Sequence, residues 1–413
     1  MRRILFILPS LPYPLLTGAD QAMYNGLKAI NNDCEVFVTF PVPMQKRKAV
    51  EKRIANSKLD NIQLKPFFYN PFKNFFDFVI RRITIFQGKI KKKNFDYFCS
   101  QMSTDFSIQL PDYIQFINDC VKKNDIEIVQ IEQCQCLSYV LALPANIKKV
   151  FVHHELRFVV NEQKIHEFGE NAYRKAWAEE AKILELEMLN RFDAVITLSK
   201  PDMETLQKSG VSVPIYPSKA IVAIKSYSGN SNASGNVLSF VGPSQHIPNF
   251  VGVKWFLKNC WEKLLQQDAS YRLKIIGNWS DDCRQEITQK FKNVEFKGFV
   301  SNLADALNDT IMIVPITIGS GIRMKILEAA SLGIPFVSTT IGAEGLPFES
   351  GRDCLKGDTP EAFVDAVLKM RDKSLRVEFA KKADALVREN YSIDALRKNR
   401  LEIYEKVMTS EKS

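Results

Sequence analysis

The residues best suited to chemistry lie in TIGSGIRMKILEAASLGIPFVST, residues 317 to 339. Gly319, Ser320 and Gly321 form a small-residue loop after an apolar run that ends at Ile316. The spacing predicts a helix from about Ile322 to Leu332, stopped by Gly333, with Pro335 opening a strand. A glycine-lined loop entering a helix offers free backbone N–H groups, and the helix dipole favours an anion there. Arg323 and Lys325 fall in the first turn, where cations are unfavourable unless an anion is bound. That placement points to a phosphate or diphosphate. Glu328 is three residues beyond Lys325 on the same face and could accept hydrogen bonds from a ribose diol. The plain alternative is a Lys325–Glu328 surface pair worth a few tenths of a kcal/mol. The loop is neither GxGxxG nor GxxxxGK[ST].

A second constellation is HHEL, residues 153 to 156. It ends an apolar run, and ligands bind beyond the carboxyl ends of parallel strands. His153 and His154 are candidate catalytic residues, with His154 preferred. Neighbours on a strand face opposite ways, which argues against His153, His154 and Glu155 sharing one metal ion. Glu132 ends the preceding strand and could reach the same place. His166 and His246 read equally well as surface residues. No metal site is expected. The eight cysteines lack paired C-x2-C spacing and read as free thiols.

Alternating short apolar runs and longer helical patterns must position these groups. Strands are expected at 4–10, 34–40, 126–132, 149–153 and 193–199. Helices are expected at 19–31 and 112–123, and one long helix over 161–191. After SYSGNSNASGN, residues 226 to 236, the alternation restarts with strands at 237–242, 272–277, 293–298, 311–316 and 335–338. Residues 360 to 406 read as almost all helix. This is an α/β chain of two doubly wound domains. The expected division is 1–225, a linker at 226–236, a second domain at 237–392 and a C-terminal helix at 393–413.

The 413 residues are 46% hydrophobic and 25% charged, which suits globular domains and excludes a disordered or fibrous chain. The opening Arg2-Arg3 followed by ILFILPSLPYPLL imitates a signal peptide, but Pro9, Pro12 and Pro14 interrupt it, so it reads as a buried strand and the protein as cytoplasmic. Net charge is +9 and uneven. Residues 46–93 carry fourteen Lys and Arg against Glu51, Asp60 and Asp77, or +11, leaving −2 elsewhere. Phe67, Phe68, Tyr69, Phe72, Phe75, Phe76 and Phe78 lie in the same segment. Aromatics beside cations suit an anionic bilayer surface. Core phenylalanines with solvated cations are the alternative reading. Nucleic acid is not the expected partner.

GSGIRMKILEAASLGIPFVSTTIGAEGL resembles the donor-binding core of retaining GT-B glycosyltransferases of family 4. FVGPSQHIPNFVGVKWF (240–256), RLKIIG and VEFKGFV follow the same order. The resemblance implies two Rossmann-like domains facing a cleft and a nucleoside-diphosphate sugar as donor. It places Gly18 and Gly242 near the diphosphate or acceptor, and Gly298 and Phe299 toward the base. A histidine of the HHEL stretch would lie near the donor sugar. Two positions depart from the pattern. Ser320 stands where the family often has the first Glu of E-x7-E, so that sugar-hydroxyl contact has no carboxylate here. The loop Gly242-Pro243-Ser244-Gln245-His246 lacks the family's usual cations, and Arg323 and Lys325 are inferred to supply that charge. The expected activity is metal-independent sugar transfer with retention, needing no cofactor. The acceptor would be a lipid-linked or surface-polysaccharide glycan at the inner face of the membrane. A sugar-nucleotide epimerase and a non-catalytic membrane-surface protein are the alternatives.

Overall fold

The computed structural model describes residues 1–70, 110–219, 221 and 234–410. It divides into two compact units, Met1–Ser218 with Arg397–Ser413, and Lys219–Leu396. Most of the expected linker at 226–236, all but its last three residues, and most of the basic segment, including Phe72, Phe75, Phe76, Phe78 and Lys89, lie outside the described residues.

The first unit holds seven parallel strands: β1 Arg2–Ile7, β2 Cys34–Pro43, β3 Ile62–Tyr69, β4 Ile128–Glu132, β5 Lys148–His153, β6 Ala194–Thr197 and β7 Ile215–Pro217. Their order is β3-β2-β1-β4-β5-β6-β7. Ile4, Leu5 and Ile7 are 0% exposed, as expected of strands covered on both faces. Thr17 and Asp20 form a reciprocal capping box that starts the helix Gly18–Ile30. Gly18 is therefore the first residue of that helix rather than part of the loop before it.

Three expectations change here. The long helix over 161–191 is two helices, Arg157–Phe168 and Ala172–Leu189. Gly169, at φ 98°, takes a backbone conformation that L side chains disfavour, and Asn171 caps the second helix. Second, residues 62–69 form a strand, β3, inside what composition suggested was a basic insertion. Third, Phe67 packs its ring 5.1 Å from Tyr113 and 5.3 Å from Phe116, against the core cluster. It is therefore a half-buried side chain packed on the core. Phe68 carries the Arg47 guanidinium 4.9 Å above its ring.

The second unit holds β8 Val237–Val241, β9 Arg272–Ile276, β10 Val294–Gly298, β11 Ile311–Val314, β12 Phe336–Ser338 and β13 Leu355–Lys356. All pairings are parallel, in the order β10-β9-β8-β11-β12-β13. In both sheets the strand order reverses beside the first strand, between β1 and β4 and between β8 and β11. Such switch points open a crevice beyond the strand ends.

The helix Ile393–Thr409 belongs for most of its length to the first unit. Arg397 forks onto Asp33 at 2.6 Å through both nitrogens, Arg2 forks onto Glu405, and Tyr404 Oη lies 2.6 Å from Gln130 Oε1. The closing segment is thus an integral element of the first unit rather than an appended tail. Among the described residues, no helix is long and apolar enough to cross a membrane.

Candidate functional site

Beside the switch point of the second unit, the ends of β8, β9 and β10 are joined through glycine backbone. Gly242 N–H donates to Ile276 O and Gly277 N–H to Gly298 O, each at 2.8 Å. Trp279 Nε1–H donates to Gly242 O at 2.9 Å. Gly242 has φ 147°, and a Cβ there would lie 2.5 Å from Asn249 Nδ2 and 3.0 Å from Lys325 Nζ. The position requires glycine because side chains from two helices close over it.

Those side chains come from the helices Ile247–Phe256 and Met324–Ser331. Asn249, 5% exposed, donates Nδ2–H to Pro243 O at 3.0 Å. Its Oδ1 accepts from Lys325 Nζ at 2.7 Å. The same ammonium sits 4.2 Å from the centroid of the Phe240 ring. Burial, and secondarily Arg323, depress Lys325 to about 7. No carboxylate among the described residues pairs with Lys325, so the Lys325–Glu328 surface pair is not formed.

Arg323 is 7% exposed and occupies the position before the helix Met324–Ser331 instead of lying in its first turn. Its Nη1 donates to Ser320 O at 2.5 Å and Gly321 O at 2.6 Å. Gly319, at φ 125°, leaves room for the guanidinium, since a Cβ there would lie 2.8 Å from Nη2. Arg323 thus shapes the Gly319–Gly321 loop, while Lys325 provides the cation beside Gly242. Ser320 is 5% exposed, Glu328 lies one turn along the same helix, and Phe299, next to Gly298, is 59% exposed.

In the first unit, the two histidines at the end of β5 diverge as strand alternation requires. His153 Nε2 lies 2.9 Å from Glu185 Oε1, and His154 Nε2 lies 2.9 Å from Glu132 Oε2. Glu185 also accepts from the N–H groups of Arg157 at 3.1 Å and Phe158 at 2.9 Å. It therefore caps the helix Arg157–Phe168 from a neighbouring helix. Cys134, His153 and Glu185 bring one ligand-type atom each within 4.8 Å of one another. Since Glu185 is already engaged by two N–H groups and His153, the cluster reads as a buried cap. Burial pushes the Cys134 thiol well up, which also disfavours a thiolate ligand. Cys134 and the other six described cysteines are free. His166 and His246 are exposed.

Sequence reasoning missed Asn249, Phe240 and Glu185. Asn249 left a signal, a polar residue inside the apolar stretch IPNFVGVKWF. Glu185 left none among the many charges of its helix.

Residues 235–373 match the family model described as glycosyl transferases group 1, covering both the Gly242 loop and the Lys325 helix. That stretch is similar to a group 1 glycosyltransferase domain. A 44.6 kDa protein of the cps region of Klebsiella pneumoniae is 26% identical over 167 residues, 38% of this chain and 42% of that relative. The chain thus spans under half the length of that curated relative. Among solved structures, a TarM variant from S. aureus, in complex with fondaparinux, α-GlcNAc-glycerol and UDP, has TM-score 0.70 at 14% identity, over 99% of this chain and 100% of that one. HepE from Anabaena, in complex with UDP, has TM-score 0.68 at 13% identity, over 98% and 100%. Sucrose-phosphate synthase from Thermosynechococcus elongatus has TM-score 0.70 at 12% identity, over 100% of both chains. At such identities the likeness establishes the fold, the GT-B pairing of two Rossmann-like units.

Proposed function

We propose that this protein is a glycosyltransferase that moves a sugar from a nucleoside-diphosphate donor to an acceptor alcohol with retention, without a metal. The observation that carries this reading is Lys325, a largely enclosed ammonium held by Asn249 and the Phe240 ring with no carboxylate to balance it. Enclosing a cation this way is unfavourable unless an anion arrives. A donor diphosphate beside Gly242 would supply that charge. The N–H groups of Gly319, Ser320 and Gly321 are the natural donors to the leaving group as it gains charge. The acceptor proton would pass to a phosphate oxygen, so no protein base is assigned. Gly298 and Phe299 remain the candidates for the base, Glu328 for the ribose, and Gly18 and His154 for the sugar side. UDP in the TarM and HepE complexes makes uridine nucleotides the first donors to test.

The cps-region relative favours a surface glycan as acceptor. The exposed Lys46, Lys48 and Lys52, close to exposed Met44, favour a peripheral position on the inner face of an anionic membrane. Incubation with a panel of nucleoside-diphosphate sugars, with and without polyprenyl-linked sugars, tests the whole reading. Acceptor-dependent diphosphate release with an α-product from an α-donor is expected. Epimerised donor without release would instead mark an epimerase, and no turnover with vesicle binding a non-catalytic surface protein.

A further inference from the structure

A line of buried hydrogen bonds runs from the closing helix to His154. Tyr404 Oη lies 2.6 Å from Gln130 Oε1, and Arg400 reaches the same oxygen at 3.5 Å. Gln130 Nε2 lies 2.6 Å from Glu132 Oε1, and Glu132 Oε2 lies 2.9 Å from His154 Nε2. Gln130, Glu132, Arg400 and Tyr404 are 1%, 4%, 6% and 1% exposed, so water does not compete for these bonds.

The donor and acceptor roles follow from the chemistry of each group. A guanidinium only donates, so the Gln130 atom facing Arg400 is its oxygen. The Gln130 amide N–H₂ therefore faces Glu132. Burial pushes Glu132 up, but the His154 bond, the nearby Arg400 charge and the Gln130 bond help hold the carboxyl below its usual range. An ionised carboxylate only accepts, so the His154 proton must be on Nε2. Among the described residues, Nδ1 of His154 has no protein partner.

We propose that Tyr404, Arg400, Gln130 and Glu132 are positioning residues that hold His154 in its Nε2–H tautomer and so present Nδ1 as a hydrogen-bond acceptor for a substrate hydroxyl. That the hydroxyl belongs to a sugar rests on the glycosyl-transfer reading; the tautomer does not. The closing helix then sets the acceptor character of a residue more than two hundred positions earlier in the chain.

The four histidines make this measurable by ¹⁵N NMR on the full chain, with His154→Asn assigning the resonance. In the wild type, His154 should show a protonated Nε2 and an unprotonated Nδ1. In the isosteric Glu132→Gln, the amide N–H₂ turns toward His154, because Gln130 still donates to the new amide oxygen. The proton should then move to Nδ1, with His166 and His246 unchanged. Tyr404→Phe should shift His154 the same way, by less. Transfer activity in Glu132→Gln should fall in kcat by about tenfold or more while UDP affinity holds. A wild-type proton on Nδ1, or an unchanged ring in Glu132→Gln, overturns the proposal. An unchanged ring in Tyr404→Phe overturns the helix's part in it. Failure of UDP binding or of sugar transfer would count against the functional reading and leave the NMR result standing.

Discussion

Lys325 donates to Asn249 Oδ1 at 2.7 Å, joining the helices that enclose Gly242 across 76 residues of sequence. The bond aims an ammonium at the strand-end loop that lacks a cation of its own. Lys325→Met should weaken UDP binding by a charge-assisted contact of ~1.5–3 kcal/mol, roughly tenfold or more in Kd. Asn249→Leu should weaken it less, because the charge remains but is no longer aimed. Calorimetric titration of each variant checks the ranking, and a larger loss in Asn249→Leu would contradict it.

Protonation of Lys325 should be linked to binding. Its folded value, about 7, lies below the ordinary 10.5. A bound diphosphate favours the charged form, so UDP should take up protons and bind more weakly as pH rises above 7. Titrations in two buffers of different ionisation enthalpy should give different apparent enthalpies; equal ones at pH 8 would refute the linkage. Stability follows the sign for a depressed lysine. Between 7 and 10.5 the unfolded chain holds the proton and the folded chain does not, so the ligand-free protein gains stability across that window as pH rises. Below it the penalty is complete, and Lys325→Met should melt higher than the wild type.

Gly242→Ala should cost stability and ligand affinity together. The new methyl would meet Asn249 Nδ2 at 2.5 Å, at a φ of 147° that alanine resists. About 1–3 kcal/mol is expected for the backbone conformation alone. A wild-type denaturation midpoint with normal UDP affinity would show that the approach of Asn249 and Lys325 is not needed.

Phe67 and the nearby lysines should separate packing from surface attraction. Phe67→Ala should destabilise the first unit by about 2–4 kcal/mol, without altering cosedimentation with anionic vesicles. Replacing Lys46, Lys48 and Lys52 by Gln should leave stability nearly unchanged and reduce cosedimentation, most visibly at low salt, since exposed charges are screened within ~8 Å at physiological ionic strength. Equal vesicle binding by wild type and the triple variant would argue for a soluble acceptor.

The sheets were legible in the sequence because strands covered on both faces read as unbroken apolar runs, as in Ile4 to Leu8 and Ile311 to Val314. The Gly319–Gly321 loop and the helix after it were legible because glycines, a helix pattern and the stop at Gly333 coincide. What stayed hidden depended on contacts distant in sequence. Phe67 looked like one of many surface aromatics until β3 placed it on Tyr113 and Phe116. Arg323 and Lys325 looked equivalent, yet one folds onto its own loop and the other crosses to Asn249. The closing helix looked like a tail because nothing local pairs Tyr404 with Gln130.

The central claim, that Lys325 awaits the diphosphate of a sugar nucleotide, is tested most directly by titrating UDP into the wild type and Lys325→Met at pH 6.5 and 8.5. The account predicts tighter wild-type binding at the lower pH, and weaker, nearly pH-independent binding in the variant once the ligand's own titration is subtracted. Equal affinity in both proteins at both pH values would contradict it.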